Sequence, residues 1–391
     1  ITELDVSKNT VLKYLYCADN MLTDLDVSNN TSLRVLLCSD NSLTNIDISM
    51  LTSLEVFGCS NNELSELDVS NNSHLSLLSC SNTGIVELNL TNSNWLTELD
   101  CSNNQLTDLV VSDKSNLRVL DCSNNNLKSL DISKNLQMYV LRCSNNKLTE
   151  LELGTGRTET IAIYCSDNQL TSFITNENIN TLDCHNNQIE ELVICNDCRI
   201  YELNCSNNKI AVLDLSKDKR LAYLDCSNNR IAEIDVGLCT ELIEANFSNN
   251  QLSSLDLSSN TRLRILSIHK NNIDKIDLSS TAISDSTWGV LVGPESRNLI
   301  YTETDECVCI TDDYVYIAND IGFTESDYNE VFKEISLDDN INVWCFMALL
   351  AVDKTTEVVG VDFEIPTLTP IPTITEIPII TESPSIVPTS N

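Results

Sequence analysis

The chain has 391 residues, enough for two or three ordinary domains, and sets 58 acidic residues against 23 basic ones for a formal charge of −35. That balance argues against a nucleic-acid interface, which needs clustered Lys and Arg against phosphate, and against docking on anionic lipid. The chain is 42% apolar and can bury a core, but it has no run of about 18 apolar residues with which a helix could cross a membrane.

From Leu12 onward the cysteines mark a period. Eleven of the 17 form one series: Cys17, Cys38, Cys59, Cys80, Cys101, Cys122, Cys143, Cys165, Cys184, Cys205 and Cys226. The step is 21 residues, except 22 into Cys165 and 19 into Cys184, and Phe247 and Ile268 continue the series. A position that accepts Cys, Phe and Ile is an apolar packing column, so these thiols read as a structural ladder of reduced, buried side chains. Stacked parallel strands hold equivalent side chains about 4.8 Å apart, whereas a disulfide wants Cβ atoms near 3.8 Å, about an ångström closer.

Each unit reads L-x-x-L-x-C-S-x-N-x-L-T-x-L-D-V-S-x-N-T-x, and 13 units run from Leu12 to about Ser280. Asn recurs three places after the column residue at every unit except that of Cys80, where Thr83 stands. The alternation in L-x-C and L-D-V has the period of a half-buried strand. One unit buries about seven apolar side chains, worth roughly 10–20 kcal/mol, against about 1–2 kcal/mol for each of its 21 backbones. A unit therefore folds only by stacking on its neighbours. Ile1 to Thr10 match the second half of a unit without a polar cap, which leads us to expect sequence before Ile1 that could hold a secretory signal.

The pattern resembles the leucine-rich repeat, L-x-x-L-x-L-x-x-N-x-L with Cys at the third leucine. Its nested 21-residue form is similar to bacterial secreted and surface proteins of the internalin type. The resemblance covers residues 1–282 and implies a leucine-rich repeat β-solenoid of about 13 repeats. We expect a parallel sheet from the L-x-C segments and a second ladder, from L-D-V, opposite it.

Within the solenoid, Cys195-Asn196-Asp197-Cys198 is a C-x-x-C at a turn, with no second pair to complete a zinc site. A local disulfide or two thiols fits it better than metal binding or redox chemistry. His185 follows Cys184 and should face solvent while the thiol faces inward. His185 and His269 share a column about 19 Å apart, too far for a joint metal site. A column of aspartates (Asp5, Asp26, Asp47, Asp68, Asp131, Asp214, Asp235, Asp256 and Asp277) repels itself, and hydrogen bonds to turn N–H groups would offset this better than calcium, which wants six or more oxygens. No G-x-S-x-G, H-E-x-x-H, P-loop or G-x-G-x-x-G occurs, so no catalytic residue, metal or cofactor is expected in the solenoid.

The residues flanking the second leucine of each unit should point outward and form the ligand face. That face is graded: Tyr14, Tyr16 and Leu37 near the start, Arg118, Tyr139, Arg142 and Tyr164 in the middle, then Asp183, Glu202 and Asp225. Aromatic and Arg anchors are enriched at binding hot spots.

Residues 283–363 lose the period and read as a small α+β C-terminal cap or accessory module, with a strand near Tyr314–Ile317, a strand or equally a helix at Val343–Leu350, and a helix after Ser326; Cys307, Cys309 and Cys345 offer one bridge. Residues 364–391 carry six of the seven prolines among threonines and read as a linker or stalk. The expected function is non-enzymatic: a binding module of a secreted or cell-surface protein that presents its sheet to a protein or glycan with a basic region, without nucleic acid and without membrane insertion. The alternatives are a surface-coat or matrix protein with cation-binding acidic columns, and an enzyme whose chemistry lies in 283–363 or beyond the chain.

Overall fold

The computed structural model describes residues 1–282, apart from 158, 176–177, 196–197, 217–218, 269, 274 and 279, together with three strands further on. Thirteen parallel strands, one per repeat, form a single sheet in sequence order, from Tyr14–Tyr16 and Val35–Leu37 to Ile265–Ser267. Register advances by one repeat at each step, as in Leu15 opposite Leu36 and Leu36 opposite Phe57. The fold is the expected parallel β-solenoid.

Most of these strands are only three residues long, and a backbone requirement ends the extended segment. Two residues after each column position the chain turns through the left-handed region, with φ near +55° from Asp19 (56°) through Asn124 (55°) to Asn249 (53°). Asn and Asp tolerate that region best among residues with a side chain. Twelve of the 13 positions carry one of them, and Lys270 (φ 55°) is the exception.

The interior holds the central leucine-type residue of each strand and the column residue after it. Cys38 through Cys226 are fully buried, as are Phe247 and Ile268. Burial holds the thiols protonated, with Cys38 pushed up to about 12 and the deeper ones higher still.

The recurrent asparagine stitches one repeat to the one before. Asn125 Nδ2 donates to Cys101 O (3.0 Å) in the preceding repeat and to Cys122 O (3.1 Å) and Ser123 O (3.2 Å) in its own. Its Oδ1 accepts from Leu106 N (3.0 Å) in the preceding repeat. Asn41, Asn62, Asn146, Asn208 and Asn250 repeat the arrangement. Where Thr83 breaks the column, its hydroxyl donates to Cys80 O (3.0 Å), and Asn104 Oδ1 takes the N–H groups of Thr83, Gly84 and Ile85.

A second buried polar column, not anticipated from the sequence, runs along the other half of the repeat. Asn30, Asn72, Asn135 and Asn260 each donate Nδ2 to two carbonyls of the preceding repeat, as Asn135 does to Val111 O (2.9 Å) and Lys114 O (2.7 Å). Lys114 and Arg157 occupy the same column and are buried; Arg157 Nη1 donates to Asn135 O (2.8 Å) and Met138 O (3.2 Å), doing what asparagine does elsewhere.

The second ladder is discontinuous. Ser129–Ile132 pairs with Glu150–Leu153, and Ser172–Ile174 pairs with Glu191–Val193, while an isolated bridge joins Asp68 to Asn89. The aspartate column contributes to the gaps without setting them alone, since Asp131 accepts Ser133 N (2.8 Å) within a paired strand. Asp5, Asp26, Asp47, Asp68 and Asp256 accept the N–H two residues on at 2.8–2.9 Å and bend the chain into a turn. Three of the five paired L-x-x segments of the repeats put Glu152, Ile174 or Val193 at that position, and the other two keep Asp131 and Asp277.

Beyond Ala282, Leu299–Tyr301 pairs in parallel with Lys275–Asp277, and Cys307–Ile310 pairs antiparallel with Val315–Ala318. The expected helix after Ser326, the segment Val343–Leu350, Cys345 and the 364–391 stalk lie outside the described residues.

Candidate functional site

Alternation within each strand sends the leucine-type residue inward and its two neighbours to the open face, as in the exposed–buried–exposed pattern of Tyr14–Tyr16. The registered strands turn those neighbours into two continuous columns, one beginning Tyr14–Val35–Val56 and the other Tyr16–Leu37–Gly58. The face has three chemically different stretches.

At its start Tyr14 and Tyr16 are exposed, and Leu37 is half-buried, its Cδ2 only 3.0 Å from where a Cβ on Gly58 would stand. In the middle, Arg142 is exposed beside half-buried Tyr164 on the adjacent strand, its guanidinium carbon 5.5 Å from the ring centroid. That is a cation–π distance. Arg118 and Tyr139 are exposed in the column just before the strands, where Tyr139 N donates to Arg118 O (2.9 Å).

The last stretch gathers charge. Thr181, Glu202, Tyr223 and Glu244 are successive register partners, as are Asp183, Asn204, Asp225 and Asn246. Burial raises the carboxyl pKa values of Glu202, Asp225 and Glu244 above their ordinary range, with Asp183 adding to the effect at Glu202. Asp225 Oδ2 accepts from Asn246 Nδ2 (3.1 Å) and its Oδ1 from Ser227 N (2.9 Å), which offsets part of that rise. Tyr201 and Tyr223 meet edge to face with centroids 5.4 Å apart, an aromatic pair whose first member the repeat frame did not flag.

Two expectations need correction. Gly58, Thr181, Asn204 and Ser267 point to this face yet are buried, because small side chains there are overshadowed by larger neighbours. His185 does not stand out in solvent: it is half-buried, Nδ1 lies 2.6 Å from Asp183 Oδ1, and Nε2 lies 3.7 Å from Asp167 Oδ2. Cys184 follows the strand rather than lying in it, so strict alternation no longer governs the next residue. Position 185 is a serine in several repeats, where Ser123 and Ser206 bond the residue two before through N and Oγ; the imidazole takes over that role. His269 lies outside the described residues.

On the other half of the repeat, hydrogen bonds from Ser7, Ser28, Ser49 and Ser70 lower the carboxyl pKa values of Asp5, Asp26, Asp47 and Asp68. One oxygen of each is already committed to its turn. Cys195 and Cys198 form a disulfide. Among the described residues, no group of three or more His, Cys, Asp and Glu side chains is placed to hold a metal ion, and no helix is long and apolar enough to cross a membrane.

The Leucine Rich Repeat family model matches residues 116–138. No curated protein matches the chain by sequence. Among solved structures, the functional domain of InlJ from Listeria monocytogenes, described as including a cysteine ladder, is 30% identical, with a TM-score of 0.62 over 81% of this chain and 77% of that one. The internalin InlF of the same organism is 20% identical, with a TM-score of 0.53 over 76% of this chain and 84% of that one. A chain of the LRIM1/APL1C complex is 18% identical, with a TM-score of 0.56 over 70% of this chain and 59% of that one. The last two likenesses concern the fold alone.

Proposed function

The chain belongs to the leucine-rich repeat proteins of the internalin type, and from that premise we propose that it is a non-enzymatic binding module of a secreted or cell-surface protein. The partner is a protein or glycan held against the open face of the 13-stranded sheet. The observation that carries this reading is the division of labour along each strand. Leucine and cysteine columns build the core, asparagine columns join the repeats, and the two outward columns are left to vary. A solved relative in fold, the LRIM1/APL1C assembly, is itself a complex of proteins. In the acidic stretch, desolvated carboxylates beside Tyr201 and Tyr223 favour a partner with cationic groups, which would relieve the burial of negative charge. Residues 283–363 would then act as a capping or accessory module, and 364–391 as a stalk.

The test is titration of the immobilised protein with basic and acidic proteins and glycans at two salt concentrations. A basic partner should bind saturably and more weakly in high salt. Arg142→Ala with Tyr164→Ala, or Glu202→Gln with Asp225→Asn, should weaken it by about tenfold or more with no change in thermal stability beyond a few degrees. Binding indifferent to both pairs would move the site off this face.

A further inference from the structure

The two irregular repeats open a cleft on the half of the coil that carries the second ladder. Among the described residues, Glu150–Leu153 and Ser172–Ile174 belong to different two-stranded ladders. Between them lies a cavity of about 660 Å³, lined by residues that include Thr149, Glu152, Phe173, Thr175 and Cys195. That volume suits a small ligand or a short peptide segment.

The disulfide at its wall is asymmetric. Cys195 lines the cleft and is partly exposed, whereas Cys198 is 7% exposed. Thr175 joins the two: its Oγ1 accepts from Cys195 N (2.8 Å), lies 3.1 Å from Cys198 Sγ and donates to Val193 O (3.2 Å). In most repeats an aspartate takes the N–H at this turn, but the corresponding residue here is Val193, and the Thr175 hydroxyl substitutes. A clamp that merely closed this turn would need neither a cleft beside one cysteine nor a hydroxyl against the sulfur of the other.

We propose that Cys195–Cys198 is a thiol–disulfide exchange site that admits a partner thiol through the cleft. The incoming thiolate attacks Cys195 Sγ from the cleft side. A new S–S bond forms to Cys195 as the Cys195–Cys198 bond breaks, and the electron pair leaves on Cys198 Sγ. The incoming thiol is oxidised and Cys198 is reduced. The Thr175 O–H turns from Val193 O to donate to the departing thiolate, which then takes a proton from solvent. Attack by Cys198 on the mixed disulfide reverses the step and releases the partner. The ladder thiols Cys38 to Cys226 do not compete, since they are fully buried and held protonated. Glu150 and Glu152 in the lining select against anionic thiols and favour neutral or cationic ones. The proposal is independent of any ligand on the sheet face.

The full chain is incubated with cysteamine, with glutathione, or with a Cys peptide flanked by lysines, then acid-quenched, alkylated and mapped by mass spectrometry. The expected product carries the probe on Cys195 and the alkyl group on Cys198, with cysteamine faster than glutathione. Adducts from both cysteamine and the peptide assign protein thiols as partners, and cysteamine alone assigns small thiols. Thr175→Val, checked by circular dichroism, should slow adduct formation about tenfold through loss of one hydrogen bond to a charged leaving group. No adduct at Cys195 on the folded protein overturns the proposal, as do adducts mainly on Cys198 or reduction only upon unfolding.

Discussion

Lys270 occupies a backbone site that every other repeat gives to Asn or Asp. At φ 55° its Cβ crowds the following carbonyl, a cost of roughly 1–2 kcal/mol that Asn lessens by hydrogen-bonding locally. Lys270→Asn should therefore raise stability by about 0.5–1 kcal/mol, read as a higher urea midpoint at an unchanged slope. His185 offers a second residue-scale check. Its hydrogen bond to Asp183, with the charges of Asp183, Asp167 and Asp225, raises its pKa above 6.5 against the opposing effect of burial. A raised folded pKa means the stabilisation is full below about pH 6.5 and is lost as pH climbs through the folded value. NMR titration of the imidazole should place that value above 6.5, and Asp183→Asn should lower it. A wild-type value at or below 6.5 would contradict the geometry. The repeat frame placed His185 correctly beside the column but could not show its partners, because Asp183 shares its repeat while Asp167 and Asp225 come from others.

Between elements, the irregular repeats concentrate what the 21-residue frame does not describe. Gly154 follows directly on the strand Glu150–Leu153, and a Cβ there would lie 2.0 Å from Ser133 O and 2.7 Å from Leu136 Cδ2. Both belong to the preceding repeat, so the backbones approach too closely for any side chain. Gly154→Ala should cost about 2–3 kcal/mol, measured by chemical denaturation; a neutral result would mean that the two repeats can separate locally. The cysteine and first asparagine columns were legible because they recur at one spacing. The second polar column was obscured by substitution: Ser93, Lys114, Arg157 and Cys239 share it with asparagines, and only contacts show that Arg157 fills an asparagine's role. The gaps in the second ladder were likewise hidden, since L-D-V alternates like a strand whether or not it pairs: Asp131 lies in a paired strand and Val110 does not.

For the whole solenoid, the cysteine ladder is a built-in reporter of opening. Its members are buried thiols whose protonated state makes them unreactive in the native fold. In rising urea, maleimide labelling of Cys38 through Cys226 should follow the circular-dichroism transition, since asparagine bonds link the repeats on either side of the Thr83 break. Early labelling confined to one end would instead report unlinked blocks. Those same bonds give the stack a polarity. Each asparagine ties off groups of the repeat before it, as Asn146 does for Cys122 O and Leu127 N. Shedding a repeat from the C-terminal side strips its predecessor of a donor and an acceptor, and shedding one from the N-terminal side strips its successor's asparagine of the same two partners. Every junction that carries the asparagine therefore loses the same two bonds whichever side departs, so the repeats hold or part together rather than fraying from a favoured end.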